Sequence, residues 1–422
     1  MGGGSNGAGG SPSFALNFAD RGSGAVDTSA QTASATATFT RALATATTIG
    51  STGLVLKAIG ANVARSYYDP TTLAYLGYLA EGSRQNICLQ SEDFSTTWAT
   101  TTATVSTDAG AAPDGTTTAD RLIPNNGGTG AVTQTGLTLT AGQAYTLSVF
   151  AKTGGGGLDS LKLQLGDAGF TNSVSVTYNT TTGAVESAAT VAGTWTAASS
   201  SAKQYANSWW RFTVTATATT NAGDRTALTC TDNGDGTNGF LLWGADIENA
   251  AFASSYIPTT TVAVTRNADV LTYPTTGWFN TSVGTMLSNW VPQSAISANA
   301  LGIAFSINDG TSNNRLVIRR ANDGSGTAQY VVSVATVTQA AVGVTAIAAG
   351  ATAKTAAAYA ANDFSFVTNG GTPATDSSGT IPTVTIAEIG SEAGGSMLFG
   401  TISGIRYYPS RLSNDILQAL TV

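Results

Sequence analysis

The chain has 422 residues, 42% of them apolar and only 10% charged, with a net charge of −7 and a pI near 4.6. That length suffices for two or three domains, and the shortage of charge beside abundant Thr, Ala, Gly and Ser suits strand-rich proteins better than a helical enzyme. With no basic run beyond Arg319-Arg320, nucleic acid and anionic membrane surfaces are not expected as partners, since both need clustered Lys and Arg. Histidine is absent, which removes Ser-His-Asp and Cys-His catalysis and His-based zinc sites.

Residues 1 to about 12 are Gly-, Ser- and Asn-rich and read as a flexible arm. The start lacks the basic and apolar pattern of a signal peptide, and no apolar run is long enough to insert in a membrane, so synthesis in a cytoplasm without export is expected. From 13 to 87 the chain offers one alternating strand, Phe14–Phe18, then a long Thr/Ala/Ser segment anchored by Phe39 and followed by Arg41. Few large apolar residues are present. This region is expected to be an extended anchor that packs on a neighbouring subunit or on the following domain.

Residues 88–258 carry the firmest pattern. Cys88–Leu89, Leu161–Leu165, Val174–Tyr178, Trp210–Val214 and Phe240–Trp243 read as strands, and all but the first are long enough to show alternation. Turns are marked by Pro113-Asp-Gly115, Asn126-Gly-Gly128, Thr153–Gly157 and Asn233–Gly236. Residues 259–270 read as a linker. Residues 271–422 form a second β-rich domain, with strands at Gly284–Trp290, Gly302–Ile307, Leu316–Ile318, Tyr330–Val334 and Leu398–Tyr408. Asp309-Gly310 and Asp323-Gly324 supply hairpin turns. The stretch Thr336–Ala361 mixes helix and strand propensities and stays unassigned. Ser413 is placed to cap a short final helix with Leu412, Ile416, Leu417 and Leu420 on one side. The fold class is therefore all-β: an extended N-terminal anchor followed by two antiparallel β-sandwiches.

Several strings, in order, resemble a family of tailed-bacteriophage virion structural proteins. They are Tyr68-Asp-Pro-Thr-Thr72, Glu81-Gly-Ser-Arg84-Gln-Asn86, Tyr145–Lys152, Trp209-Trp-Arg211, Phe240–Glu248, Ser254–Thr260 and Arg266-Asn-Ala-Asp269. Phe399–Pro409 with Arg411–Asn414 is similar to the closing strand and helix of lectin-like domains. The resemblance implies a jelly-roll module like a carbohydrate-binding module, then a laminin-G/concanavalin-like domain. It implies a head fibre, tail fibre or decoration protein on the virion surface, attached to other virion proteins through its N-terminal region. By fibre analogy it implies homotrimers, and host-surface polysaccharide as the ligand. It allows a structural calcium, unplaced, and no other cofactor.

Sugar binding needs aromatic platforms and planar polar partners. The candidates are Trp98, Trp195, Tyr205 and Trp209. Trp209 and Trp210 are adjacent on a strand and point to opposite faces. Alternation with Phe212 and Val214 puts Trp210 in the core and leaves Trp209 as the better platform, although burial is the commoner fate of any one tryptophan. Asp232–Gly236 lacks the EF-hand spacing and reads as a turn rather than a calcium loop. Asp246 and Glu248 share one strand face, yet no run of alternating acids like that of concanavalin-like glucanases is present, so no enzyme activity is expected. A ligand-free decoration protein, a glycan depolymerase and a bacterial adhesin are the alternatives. Cys88 and Cys230 read as small buried hydrophobes, with a single disulfide the other option.

Overall fold

A computed structural model describes residues 10–32, 35–219, 223–293 and 301–422. The glycine-rich start, residues 1–9, lies outside the described residues. The fold is all-β, and the final helix, Asn414–Leu420, forms behind Ser413 with Leu417 buried beneath it.

The middle sandwich pairs two antiparallel sheets. In the six-stranded sheet the order is Ala99–Thr101, Gly130–Thr138, Gly223–Cys230, Ser160–Asp167, Ser173–Asn179 and Val185–Ala192. In the eight-stranded sheet it is Ala103–Gly110, Ala119–Pro124, Phe240–Glu248, Ala144–Thr153, Trp210–Thr217 and Thr196–Gln204. Arg84–Asn86 and Val264–Arg266 join that sheet beside Phe240–Glu248. The register aligns the alternation of neighbouring strands: Leu163 lies between Val176 and Leu228. Leu161, Leu163, Leu165, Val174, Val176 and Tyr178 thus face one core together with Leu147, Val149, Phe212 and Ile247. Cys88 and Cys230 are free thiols in that core. Cys88 lies just beyond the Arg84–Asn86 strand rather than in a strand of its own.

Every residue of Phe240–Glu248 is buried, because both faces of this strand are covered. A bulge makes this possible. Ser148 pairs with Asp246 and Phe150 with Trp243, so two residues, Gly244 and Ala245, oppose Val149. Gly244 takes the left-handed conformation (φ 64°) that the bulge requires. The side-chain alternation consequently shifts. Leu242, Ala245 and Ile247 face the six-stranded sheet. Leu241 and Trp243 turn to the outer face, where a separate apolar cluster forms.

The terminal sandwich takes in most of the N-terminal region. Its ten-stranded sheet runs Asp20–Gly22, Ala25–Val26, Arg65–Tyr68, Tyr75–Ala80, Gly400–Tyr408, Val283–Pro292, Ala353–Ala360, Asp363–Thr368 and Ala374–Asp376, with Phe14–Leu16 also paired to Gly400–Tyr408. Its seven-stranded sheet runs Val337–Ala346, Thr327–Val334, Arg315–Arg320, Gly302–Asn308, Ile386–Ile389, Val270–Pro274 and Thr38–Thr40. Residues 13–87 are therefore no separate segment. Phe14, Leu16, Phe18 and Tyr78 are fully or almost fully buried in one core with Trp278, Met286, Phe305, Tyr330 and Tyr407. Short strands hide their contribution in the sequence, since each supplies only one or two large residues. At Gly77 (φ 96°) a β-carbon would stand 2.2 Å from the Ile402 carbonyl, so the close pairing of Tyr75–Ala80 with Gly400–Tyr408 needs glycine there. The unassigned stretch Thr336–Ala361 resolves into two strands.

The middle sandwich is thus an insertion. The chain builds part of the terminal sandwich, leaves through Arg84–Asn86, and returns through Val264–Arg266, the two crossing strands pairing Gln85 with Thr265. The stretch expected as a linker contains one of these strands. One further piece of the N-terminal region, the hairpin Ala46–Ile49 with Val55–Ile59, lies over the outer face of the eight-stranded sheet.

Candidate functional site

The strings that carry the family resemblance converge where the sandwiches meet. Glu81 and Asp269 form the anionic centre of a buried network with Arg41, Arg65 and Arg266. Asp269 accepts from Arg41 at 2.7 Å, from Arg65, and from the backbone N–H of Glu81 at 3.1 Å. Glu81 accepts from Arg65 at 2.9 Å, from Arg266 at 2.8 Å, and from Ser255 through both its N–H and its hydroxyl. Burial works against the Glu81 carboxylate, but Arg266 and Arg65 prevail and hold it down to about 2. The network ties three N-terminal side chains to the returning strand. No single stretch of sequence shows it, because its members are up to 228 residues apart.

A second buried set lies beside it. Asp246 and Glu248 are both inaccessible to solvent. Burial, and for Asp246 the neighbouring Glu248, push both carboxyls upward against the pull of Arg211 and Arg266. Glu248 accepts from the Ser254 N–H at 2.8 Å, and Asp246 from the Ile257 N–H at 3.2 Å. Arg211 donates to the Ser254 carbonyl at 2.6 Å and to the Ser148 hydroxyl at 2.9 Å.

Against these networks lies a cavity of about 450 Å³. Its walls come from three parts of the chain. Tyr205, Arg211 and Thr213 belong to the middle sandwich, Tyr67 and Asp69 to the N-terminal strands, and Gln293 and Thr352 to the terminal sandwich. Several lining groups are already engaged. Lys203 and Asp69 pair at 2.9 Å. Burial opposes the Asp69 carboxylate, yet Lys203 and the N–H groups of Thr72 and Thr71 hold it near 2. Thr213 pairs with Ser201, and Thr47 donates to the Tyr256 carbonyl. The Tyr67 hydroxyl makes no hydrogen bond to any described residue, and burial pushes its ionisation well above the usual phenol range. Tyr205 is pushed up by burial too, with Arg211 beside it acting in the other direction. Both phenols are thus neutral donors at the edge of an open space.

The tryptophans expected as platforms are elsewhere. Trp98 and Trp195 are buried in the inter-sheet core, Trp98 against Phe94 with its ring nitrogen donating to the Gln90 carbonyl at 3.3 Å. Trp209 is fully buried. Strand alternation does put it on the face opposite Phe212, but that face is roofed by Ile49 and Val55 of the hairpin, and its ring nitrogen donates to the Ala111 carbonyl at 3.2 Å. Trp210, expected in the core, is half-buried, its ring stacked beside Phe212 and over Gly183. Tyr205 alone of the four lines the cavity. Residues missed by sequence reasoning are Tyr67, Asp69, Lys203, Gln293 and Thr352. Of these, only Asp69 lies in one of the strings that carry the resemblance, Tyr68–Thr72.

Asp232 accepts from the N–H groups of Asp159 and Ser160, and Asp235 from those of Thr237 and Asn238, so both carboxylates bind backbone as turn residues do. Among the described residues, no three or more His, Cys, Asp or Glu side chains are grouped to hold a metal ion.

No family model and no curated protein matches the chain. Among the solved structures that match, the likeness is limited, as three of them illustrate. The CBM40 module of the Ruminococcus gnavus IT-sialidase, bound to α2,3-sialyllactose, is 17% identical, with 34% of this chain and 84% of that one covered and a TM-score of 0.29. A leech intramolecular trans-sialidase complexed with 2,7-anhydro-Neu5Ac is 18% identical over 34% of this chain and 23% of its own, with a TM-score of 0.29. The heptameric SAP-like pentraxin of Limulus polyphemus is 15% identical over 34% and 70%, with a TM-score of 0.25. Likenesses of this degree carry no inference about ligand.

Proposed function

We propose that the chain is a glycan-binding surface protein whose ligand occupies the junction cavity rather than a tryptophan platform. The observation that carries this reading is the lining itself. The volume falls in the range of small-molecule sites, roughly 300–1,000 Å³. Aromatic walls (Phe150, Tyr67, Tyr205, Tyr256) stand beside hydroxyl and amide groups that make no side-chain hydrogen bond to a described residue (Tyr67, Gln293, Thr352). The charged groups of the lining are already paired, which suits a neutral, hydroxyl-rich ligand. Asp69 is the one carboxylate among the lining residues, so the lining favours binding over two-carboxylate glycoside hydrolysis.

Placement on a phage particle, attachment to it through the N-terminal region and trimer formation belong to this proposal and rest on the ordered strings alone. A trimer would raise weak single-site affinity through multivalency. The second reading is a ligand-free decoration protein, and the burial of Trp98, Trp195, Trp209 and Trp243 favours it. A glycan array probed with the wild-type protein and with Tyr67→Phe separates the two. Binding that weakens on loss of one hydroxyl supports the cavity. No binding by either protein leaves the decoration reading.

A further inference from the structure

A second recess crosses the same junction on different residues. It is a groove of about 290 Å³ lined by Ser83, Arg84, Gln85, Ile87, Asn249 and Thr265. Arg84 is held there by packing. Its guanidinium sits 4.2 Å from the Phe399 ring centroid and 5.2 Å from that of Phe252, one ring from each sandwich. The rings meet edge to face at 5.2 Å. Gly82 makes room, since a β-carbon there would stand 2.6 Å from the Phe399 ring. Phe399 itself holds a left-handed backbone (φ 48°), uncommon for an aromatic residue. The guanidinium plane is thereby fixed before any ligand arrives.

Its hydrogen-bonding capacity is largely unused. One terminal nitrogen donates to the Ser83 carbonyl at 3.3 Å. The other makes no hydrogen bond to a described residue, and the buried Nε is without a partner at hydrogen-bond geometry. Glu248 pairs with Nε at 3.5 Å but is not among the lining residues, and burial drives its carboxyl upward, which weakens it as a counter-ion. No acidic residue lines the groove. Around the arginine stand the amides of Gln85 and Asn249 and the hydroxyls of Ser83 and Thr265. A planar guanidinium matches a carboxylate with two parallel hydrogen bonds, and amides and hydroxyls match the ring hydroxyls beside it.

We propose that this groove is a subsite for the carboxylate of an acidic sugar, with Arg84 as the carboxylate fork and Asn249 and Gln85 as partners of the sugar hydroxyls. The sugar half of the assignment rests on the glycan reading above. The carboxylate half does not. It also divides the junction by charge, with neutral sugar in the cavity and acidic sugar in the groove.

Saturation-transfer NMR titrations of the full chain with D-glucuronate, D-glucose and acetate test it. These probes share a ring, a carboxylate, or both. Glucuronate is expected to bind at least about tenfold more tightly than either of the others, the factor expected for one hydrogen bond to a charged group. Arg84→Lys and Asn249→Ala are each expected to weaken glucuronate several-fold. Should Arg84→Lys fail to fold, Asn249→Ala and Gln85→Ala, both at exposed side chains, carry the test. Tyr67→Phe is expected to leave glucuronate binding unchanged, so a failure of the cavity reading stays separate from a failure here. Equal binding of glucose or acetate, or unchanged glucuronate binding in the Asn249 and Gln85 variants, would overturn the assignment.

Discussion

Glu81 and Glu248 are both buried glutamates beside arginines, yet burial leaves them in opposite states. Glu81 has Arg65 and Arg266 within 3 Å and titrates near 2 rather than its ordinary 4.5. Its contribution to stability is therefore fully present above pH 4.5 and lost as the pH falls toward 2. Glu248 has Arg84 at 3.5 Å and the pull of Arg266 and Arg211, yet burial prevails and its carboxyl is raised, so its contribution runs the other way and favours the fold as pH falls. Glu81→Gln should leave buried Arg266 without its carboxylate and Arg65 with Asp269 alone, and destabilise the protein at pH 7 by about 3–5 kcal/mol. Glu248→Gln mimics the protonated acid, keeps an acceptor for the Ser254 N–H, and should change stability by no more than about 1 kcal/mol. Urea unfolding at pH 7 and pH 3 checks both, with the Glu81→Gln difference shrinking at the lower pH. The thiols offer a simpler readout. Burial raises both, Cys230 to about 11, and neither is expected to react with a thiol reagent until urea unfolds the chain.

At the scale of single elements, the hairpin Ala46–Ile49/Val55–Ile59 decides what Trp209 does. Without it the outer face of the eight-stranded sheet would present Trp209, Trp243, Leu241 and Phe150 to water. With it they form a closed cluster with Ile49 and Val55, and Lys57 pairs with Glu92 and Asp114 at 2.8 Å to fasten the hairpin down. Trp209→Ala should therefore act as a core truncation, costing roughly 3–5 kcal/mol in urea unfolding. If instead the variant keeps its stability and loses glycan binding, Trp209 is a platform after all. Alternation within Trp209–Val214 was enough to put the two tryptophans on opposite faces. It could not show that the second face has a roof, because the roof is Ile49 and Val55 of a short hairpin some 150 positions earlier, whose own pattern is faint. The same limit applies to Gly244. A glycine inside an apolar run is compatible with an ordinary strand, and only the pairing to Ser148 and Phe150 reveals that the parity shifts there.

For the whole molecule, the insertion topology fixes which pieces can fold alone. The apolar runs of 161–178 and 302–334 made two sandwiches legible, since long strands buried on one or both faces announce themselves by periodicity. The closure of the terminal sandwich was illegible, because it depends on Phe14–Leu16, Thr38–Thr40 and Tyr75–Ala80, short strands whose partners are more than 200 residues away. A fragment of residues 271–422 lacks all three. Its strand Gly400–Tyr408 would lose two neighbours, Phe14–Leu16 and Tyr75–Ala80, and its core would lose Phe14, Leu16, Phe18 and Tyr78. Four large side chains at about 1.5–3 kcal/mol each exceed much of the 5–15 kcal/mol that stabilises an ordinary domain. The fragment is expected to be unfolded or aggregated by circular dichroism and size-exclusion chromatography. A chain of residues 10–87 added in trans should restore a cooperative unfolding transition, because it supplies the missing strands of both sheets. Cooperative folding of 271–422 by itself would mean that the N-terminal strands merely decorate a finished sandwich.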